Sequence, residues 1–128
     1  MTIHHLEPWV PSLRRAESTW GWLLGELGYA SFQSWDSGRS WRHGATYVVV
    51  EQSPDMVTDM LHSRLRPGLN HVAFYAESGA HVDRIAADAP EHGWTQMFAE
   101  RFPHAGGPDT YAVYLEDTDG FEAEIVAP

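Results

Sequence analysis

The sequence contains no cysteine and no lysine among its 128 residues, and each absence closes off a class of chemistry. Without thiols there is no disulfide framework, no thiolate metal site and no cysteine nucleophile. With every basic side chain an arginine, Schiff-base catalysis and the phosphate-binding lysine of a P-loop go too. Positive charge is scarce: eight basic residues stand against eighteen acidic ones, a formal net charge of −10. The mean field therefore repels phosphate backbones and anionic lipid heads, and neither nucleic acid nor a membrane surface is an expected partner. No apolar run approaches the roughly 18 residues a spanning helix needs, and the first eight residues lack the basic and apolar regions of a signal peptide, so a cytoplasmic protein is expected. Eight histidines, the carboxylates and the hydroxyls remain to carry any chemistry. The length is that of a single domain, residues 1–128.

The hydrophobic pattern divides this domain into two similar stretches. Residues 3–10 alternate like a strand, with Leu6, Pro8 and Val10 on one face and His5, Glu7 and Trp9 on the other. Pro11-Ser12 starts a helix over 13–27, whose Leu13, Ala16, Trp20, Leu23, Leu24 and Leu27 recur at helical spacing until Gly28. Strands are predicted at Tyr29 to Trp35, Ser40 to His43 and Ala45 to Gln52, separated by the turn Asp36-Ser37-Gly38 and a break at Gly44. The first half, 1–52, thus reads βαβββ. Residues 53–68 form a connector with room for a helical turn or two. The second half, 69–128, repeats the order. A strand at Leu69 to Ala76 sets His71, Ala73 and Tyr75 opposite Val72, Phe74 and Ala76. Ser78 then caps a helix carrying Val82, Ile85, Ala86 and Ala89, which Pro90 weakens and Gly93 ends. Strands follow at Trp94 to Glu100, Tyr111 to Glu116 and Phe121 to Ala127. His5 and His71 are 66 residues apart, as are Ser12 and Ser78, and Gly28 and Gly93 are 65 apart. Two copies of one half-domain explain these offsets.

The expected fold is α+β: two tandem βαβββ units forming a cupped mixed sheet with helices on its outer face. Alternation puts His5 and His71 on the cup side of equivalent strands. In the last strand the apolar set Phe121, Ala123, Ile125 and Ala127 leaves Glu122 and Glu124 on the opposite face. Two imidazoles and a carboxylate from separate strands make a set suited to a divalent first-row metal.

These features resemble the vicinal oxygen chelate superfamily of glyoxalases, extradiol dioxygenases, fosfomycin-resistance enzymes and bleomycin-resistance-type binding proteins. The signatures are a histidine opening the first strand of each half (His5-Leu6 and Asn70-His71-Val72), a first helix ending Trp22-Leu23-Leu24-Gly25, and Asp117-Thr118-Asp119-Gly120-Phe121-Glu122-Ala123-Glu124, which matches a family pattern D-x-D-G-x-x-x-E. The resemblance covers essentially the whole chain. It implies His5, His71 and Glu124 as metal ligands, with zinc, nickel, manganese, iron or cobalt as the ion. Some members add a fourth ligand at the end of the fourth strand; Glu51 fits that position as ligand or catalytic base, although counting back from Pro54 places Val50 there equally well. It further implies a homodimer.

Other residues have competing readings. His4 points away from His5 by alternation and reads as structural. Glu122 is expected to be solvated or at the cup rim, and His62, His81 and His92 to lie on the surface. Trp9, Trp35, Trp41, His43, Tyr75, Tyr111 and Tyr114 are candidates to line the cup and bind ligand, core packing being the alternative for the tryptophans. The segment His104 to Asp109 reads either as a lid or as a plain hairpin connection. Two functions follow. In the first, a lyase, isomerase or dioxygenase of the glyoxalase type chelates substrate oxygens on its metal, with Glu51 or Glu124 moving protons. In the second, an antibiotic is sequestered in an aromatic cup without turnover, a reading favoured by six tryptophans and an acidic balance suited to a cationic drug.

Overall fold

Helix α1, Leu13–Glu26, begins where Ser12 turns extended and its hydroxyl accepts the Arg15 N–H, as a short oxygen-bearing side chain at the N-cap should. It ends in a Schellman motif: Gly28 adopts φ +83 and Tyr29 N–H reaches back to Leu24 carbonyl while Gly28 N–H reaches Gly25. The computed structural model describes all 128 residues, and they divide into two compact units, Met1–Leu61 and His62–Pro128. The boundary falls inside the predicted connector.

In the first unit, β1 (His5–Leu6), β2 (Ala30–Trp35), β3 (Gly38–His43) and β4 (Thr46–Glu51) form one sheet in the order β1-β4-β3-β2. The β1–β4 pair is parallel and the others antiparallel. The predicted strand 3–10 shortens to two residues because Pro8 has no N–H to give the ladder; the chain rejoins β4 only at a bridge between Trp9 and Glu51. Ala16, Trp20, Leu23 and Leu24 of α1 pack on Val48 and Val50, all fully buried or nearly so. Burial of Leu23 and Leu24 contributes roughly 1.5–3 kcal/mol each. Strand β2 forms the sheet's outer edge and is exposed along all six residues.

The second unit repeats the plan with β5 (Val72–Tyr75), helix α2 (Gly79–Asp88), β6 (Trp94–Met97), β7 (Ala112–Asp117) and β8 (Glu122–Val126), in the order β5-β8-β7-β6. Ser78 caps α2 by accepting His81 N–H. Gly93 at φ +84 closes the 3-10 turn Ala89–His92 that follows. Val82, Ile85, Ala89, Trp94, Val113, Leu115, Ala123 and Ile125 are its core. The strand predicted to reach Glu100 stops at Met97, since Phe98 takes a left-handed backbone, φ 54, that no strand continues.

Two other expectations need correction. Residues 53–68 contain no helix, only bends and two single turns, closed by Met56 N–H to Ser53 and Arg66 N–H to Ser63. His81 and His62 are not surface residues. His81 is buried, with Nδ1 accepting the Glu77 N–H. His62 is half-buried, its ring stacked on Phe121 at 4.1 Å with Nε2 buried and without a hydrogen-bond partner; burial depresses its pKa below the usual imidazole value. No helix is long and apolar enough to cross a membrane.

Candidate functional site

Register decides which side chains share the sheet face turned away from each helix. In the second unit, β5 and β8 align Ala73 with Glu124, and β7 and β8 align Tyr114 with Glu124 and Glu116 with Glu122. Period-two alternation therefore gathers His71, Tyr75, Tyr114, Glu116, Glu122 and Glu124 on one face. At its centre His71 Nε2 lies 3.3 Å from Glu124 Oε2. The Tyr114 hydroxyl donates to the other carboxylate oxygen, Oε1, at 3.1 Å. Burial, then this bond, pushes the Tyr114 phenol up to about 12, so it stays a donor throughout the physiological range.

The orientation of the His71 ring is set by its neighbours. Asn70 Nδ2 donates to the Arg64 carbonyl at 3.0 Å, which orients the amide so that Oδ1 faces His71 Nδ1 at 2.8 Å. An amide oxygen only accepts, so Nδ1 carries a ring proton. In the neutral ring the Nε2 lone pair then points at a carboxylate oxygen. A cation between these two acceptors, a proton or a metal ion, would bridge them. An imidazole oriented through its other nitrogen, beside an oriented carboxylate, is the donor arrangement a metal site uses, and His71 and Glu124 fit one. Neither unit holds within itself a group of three His, Cys, Asp or Glu side chains able to bind a metal ion.

Glu122, expected at a solvated rim, is buried, its side chain only 3% exposed beside Arg64 Nε at 3.3 Å. The connector folds back over this strand and covers it. Burial raises the Glu122 pKa, partly opposed by Arg64 and then His71. The segment after Phe98 runs through successive turns, with bonds from His104 N–H to Arg101, Gly107 to His104 and Thr110 to Gly107. A Cβ at Gly106 would lie 2.6 Å from the Tyr114 hydroxyl, so this glycine lets the loop back directly onto the residue that orients Glu124.

In the first unit, β1 and β4 align His5 with Tyr47, and the two rings stack at 4.9 Å. His4 does not point away as alternation suggests. Its Nδ1 meets His5 Nδ1 at 2.8 Å and its ring meets Tyr47 edge-on at 5.2 Å, because it precedes the strand and is free of the pleat. Glu51, on the same face as Tyr47, accepts the Ser37 hydroxyl at 3.2 Å. Trp9 and Trp35 are exposed there too, Trp35 lying across Gly38 in space a side chain would need.

Three ligand-lining candidates lie instead on helix-covered faces. Trp41 is 7% exposed and packs on α1, 3.2 Å from where a Cβ at Gly21 would stand. His43 lies against Tyr29 and Gly28. The Tyr111 hydroxyl donates to Asp83 of α2 at 2.7 Å. The odd positions of β3 and β7 face the helices. Sequence reasoning missed Arg64 entirely and took in Gly106 only as part of the segment read as a lid or a hairpin connection. It noted Asn70 only as part of a motif; an amide before a strand-opening histidine was the available signal.

A family model described as the Glyoxalase/Bleomycin resistance protein/Dioxygenase superfamily matches residues 4–114, and the chain belongs to that superfamily. It is 40% identical over 126 residues to the uncharacterized protein YqjT of Bacillus subtilis (strain 168), covering 98% of each chain. Its fold matches the crystal structure of a candidate glyoxalase from Bacillus halodurans with a TM-score of 0.93 and 44% identity, over 98% of this chain and 95% of that one. A glyoxalase/bleomycin resistance protein from Albidiferax ferrireducens T118 shares the fold at a TM-score of 0.76 and 21% identity, over 98% of both chains.

Proposed function

We propose that the protein is a metal-dependent enzyme of the glyoxalase type acting on a small molecule with two neighbouring oxygens. The observation that carries this reading is the His71–Glu124 pair, with a ring proton fixed on Nδ1 and Nε2 turned to the carboxylate. His71 and Glu124 would hold a divalent ion; His5 is the further ligand that the family resemblance implies. Such an ion supplies Lewis acidity to the two substrate oxygens. Asn70 keeps His71 in its ligating tautomer. Tyr114 holds Glu124 Oε1, leaving Oε2 for ligation. Glu51, held by Ser37, is the carboxylate we assign to proton transfer at the substrate carbon.

The test is metal content of protein prepared without a histidine tag. Wild type is expected to retain about one divalent ion per chain, and His71→Ala to lose it, with turnover of an α-keto aldehyde lost in parallel. Wild type that takes up no zinc, manganese, nickel, cobalt or iron overturns the reading. The exposed aromatic rings of Trp9, Trp35 and Tyr75 favour a second reading, sequestration of an aromatic antibiotic. Metal-free protein whose tryptophan fluorescence is quenched stoichiometrically by such a drug would support it. A homodimer is proposed from family resemblance and is checked by sedimentation equilibrium.

A further inference from the structure

We propose that the first unit carries a second binding site, for a neutral polyhydroxyl compound of sugar size, between α1 and the β2–β3 hairpin. A cavity of about 470 Å³ opens there, in the range of small-molecule sites. Glu17 and Gly21 of α1, Ser31 and Ser34 of β2, and Arg39 and Trp41 of β3 line it. Register pairs Ser31 with Trp41 and Ser34 with Arg39. These four share the helix-covered face of the sheet, opposite the face of Tyr47 and Glu51. The site is therefore independent of the metal reading.

Two local features open this space. Gly21 lies one turn beyond Glu17 and puts no side chain over the sheet, although a mid-helix glycine costs helix stability. A Cβ there would stand 3.2 Å from Trp41 Cζ2 and 3.9 Å from its Nε1. A bulge between Ser31 and Gln33 then bends the edge strand, and the Gln33 N–H turns to the Ser40 hydroxyl.

The groups facing the cavity keep unused bonding capacity. Trp41 is only 7% exposed, yet its Nε1–H donates to no group of the protein. The side-chain atoms sealed away without a partner are His62 Nε2 and Glu122 Oε2 alone, so the indole N–H reaches the open space on its Gly21 side. Arg39 is pinned: Nε donates to Glu17 Oε1 at 3.1 Å, and Nη1 to the carbonyls of Trp35 and Gly38 at 2.7 Å each. Its Nη2 hydrogens are left over, on a side chain 29% exposed, and so is Glu17 Oε2. The fork is held in place with donors to spare.

These groups select a ligand by exclusion. Arg39 and Glu17 neutralise each other, so the cavity offers no net charge to an ion, and a chain of net charge −10 further opposes an anion. An apolar molecule would strip water from the indole N–H and Nη2 and give nothing back. Vicinal hydroxyls, each donor and acceptor at once, match a carboxylate oxygen, two N–H donors and the serine hydroxyls together.

The experiment titrates isotope-labelled protein with myo-inositol, D-glucose and D-ribose, following the indole N–H resonance that Trp41→Phe deletes. At least one of these is expected to shift that resonance saturably, binding about tenfold or more tighter than cyclohexanol or gluconate. Ser34→Leu, which fills the cavity from an exposed strand position, should abolish the shift while the other five indole resonances report an intact fold. Arg39→Met/Glu17→Gln, which removes both charges together, should weaken binding about tenfold or more. No saturable shift with any of the three, equal affinity for cyclohexanol or gluconate, or binding unchanged in either variant overturns the proposal.

Discussion

The two units share one backbone frame, and their registers can be laid over each other residue by residue. His5 opposes Tyr47 and Leu6 opposes Val48, while Val72 opposes Ala123. It follows that Tyr47 is the counterpart of Glu122, Val49 of Glu124 and Glu51 of Val126. In the antiparallel ladders, Ser40 corresponds to Tyr114 and Gly38 to Ala112. The same β-ladder position is thus a hydrocarbon in one copy and a carboxylate in the other. The frame makes a place for a histidine at the head of each first strand; what faces it is free to diverge. In the first unit that partner is an aromatic ring, and the carboxylate has moved one repeat along the strand to Glu51. Only the second unit brings imidazole, carboxylate and phenol into direct contact.

This contrast can be broken most strongly at Val49, which is 4% exposed. Val49→Glu gives the first unit its missing carboxylate and buries a charge without a partner. It is expected to cost about 3 kcal/mol or more, measured by urea denaturation. The converse change, Glu124→Val, removes the acceptor of Tyr114 and the carboxylate beside His71 and should cost about 1–2 kcal/mol. A second break is at Asn70, whose counterpart His4 meets the Nδ1 of the histidine after it with an imidazole instead of an amide. Asn70→Ala should weaken metal affinity about 10–100-fold, measured by competition with a chelating dye, while leaving the urea midpoint almost unchanged.

Much of this frame was legible in the sequence because its determinants are local. Ser12 and Ser78 cap their helices through their own hydroxyls, and Gly28 and Gly93 end helical segments by adopting positive φ. Such signals depend on a few neighbouring residues. The facing of Trp41 and His43 was not legible: a four-residue strand prediction bounded by turns does not say which set of alternate residues meets the helix. Contact with Gly21 and Tyr29 decides it. Nor was the burial of Glu122, since it depends on where residues 62–66 fold, and that segment carries no periodic pattern. The pairing of His71 with Glu124 was anticipated from strand alternation; the devices that orient it, Asn70 and Tyr114, required the actual hydrogen bonds.

Two smaller tests sharpen the comparison. Gly38 and Ala112 are register equivalents, yet only Ala112 has room for its methyl, because the Trp35 ring lies over Gly38. Gly38→Ala should expel that ring, destabilise by about 1–2 kcal/mol and red-shift tryptophan emission. The last concerns pH. Tyr114 ionises in the folded state at about 12 but near 10 when unfolded. Above pH 10 the unfolded chain releases this proton first, so stability falls between about 10 and 12. Tyr114→Phe should flatten that part of the profile, followed by urea midpoint against pH, with a matching loss of the highest-pH phenolate step at 295 nm.

The second unit begins at His62 rather than at its first strand: His62 stacks on Phe121, and Arg64 reaches Glu122 and Asn70. A gene divided at the exposed stretch around Val57 and Met60 would hand each fragment all four of its strands, its helix and its capping serine. The same cut moved ten residues downstream would transfer the leader that clasps Phe121 and Asn70 to the wrong piece. The linker is thus asymmetric in ownership, and fragment complementation or circular permutation should respect that seam.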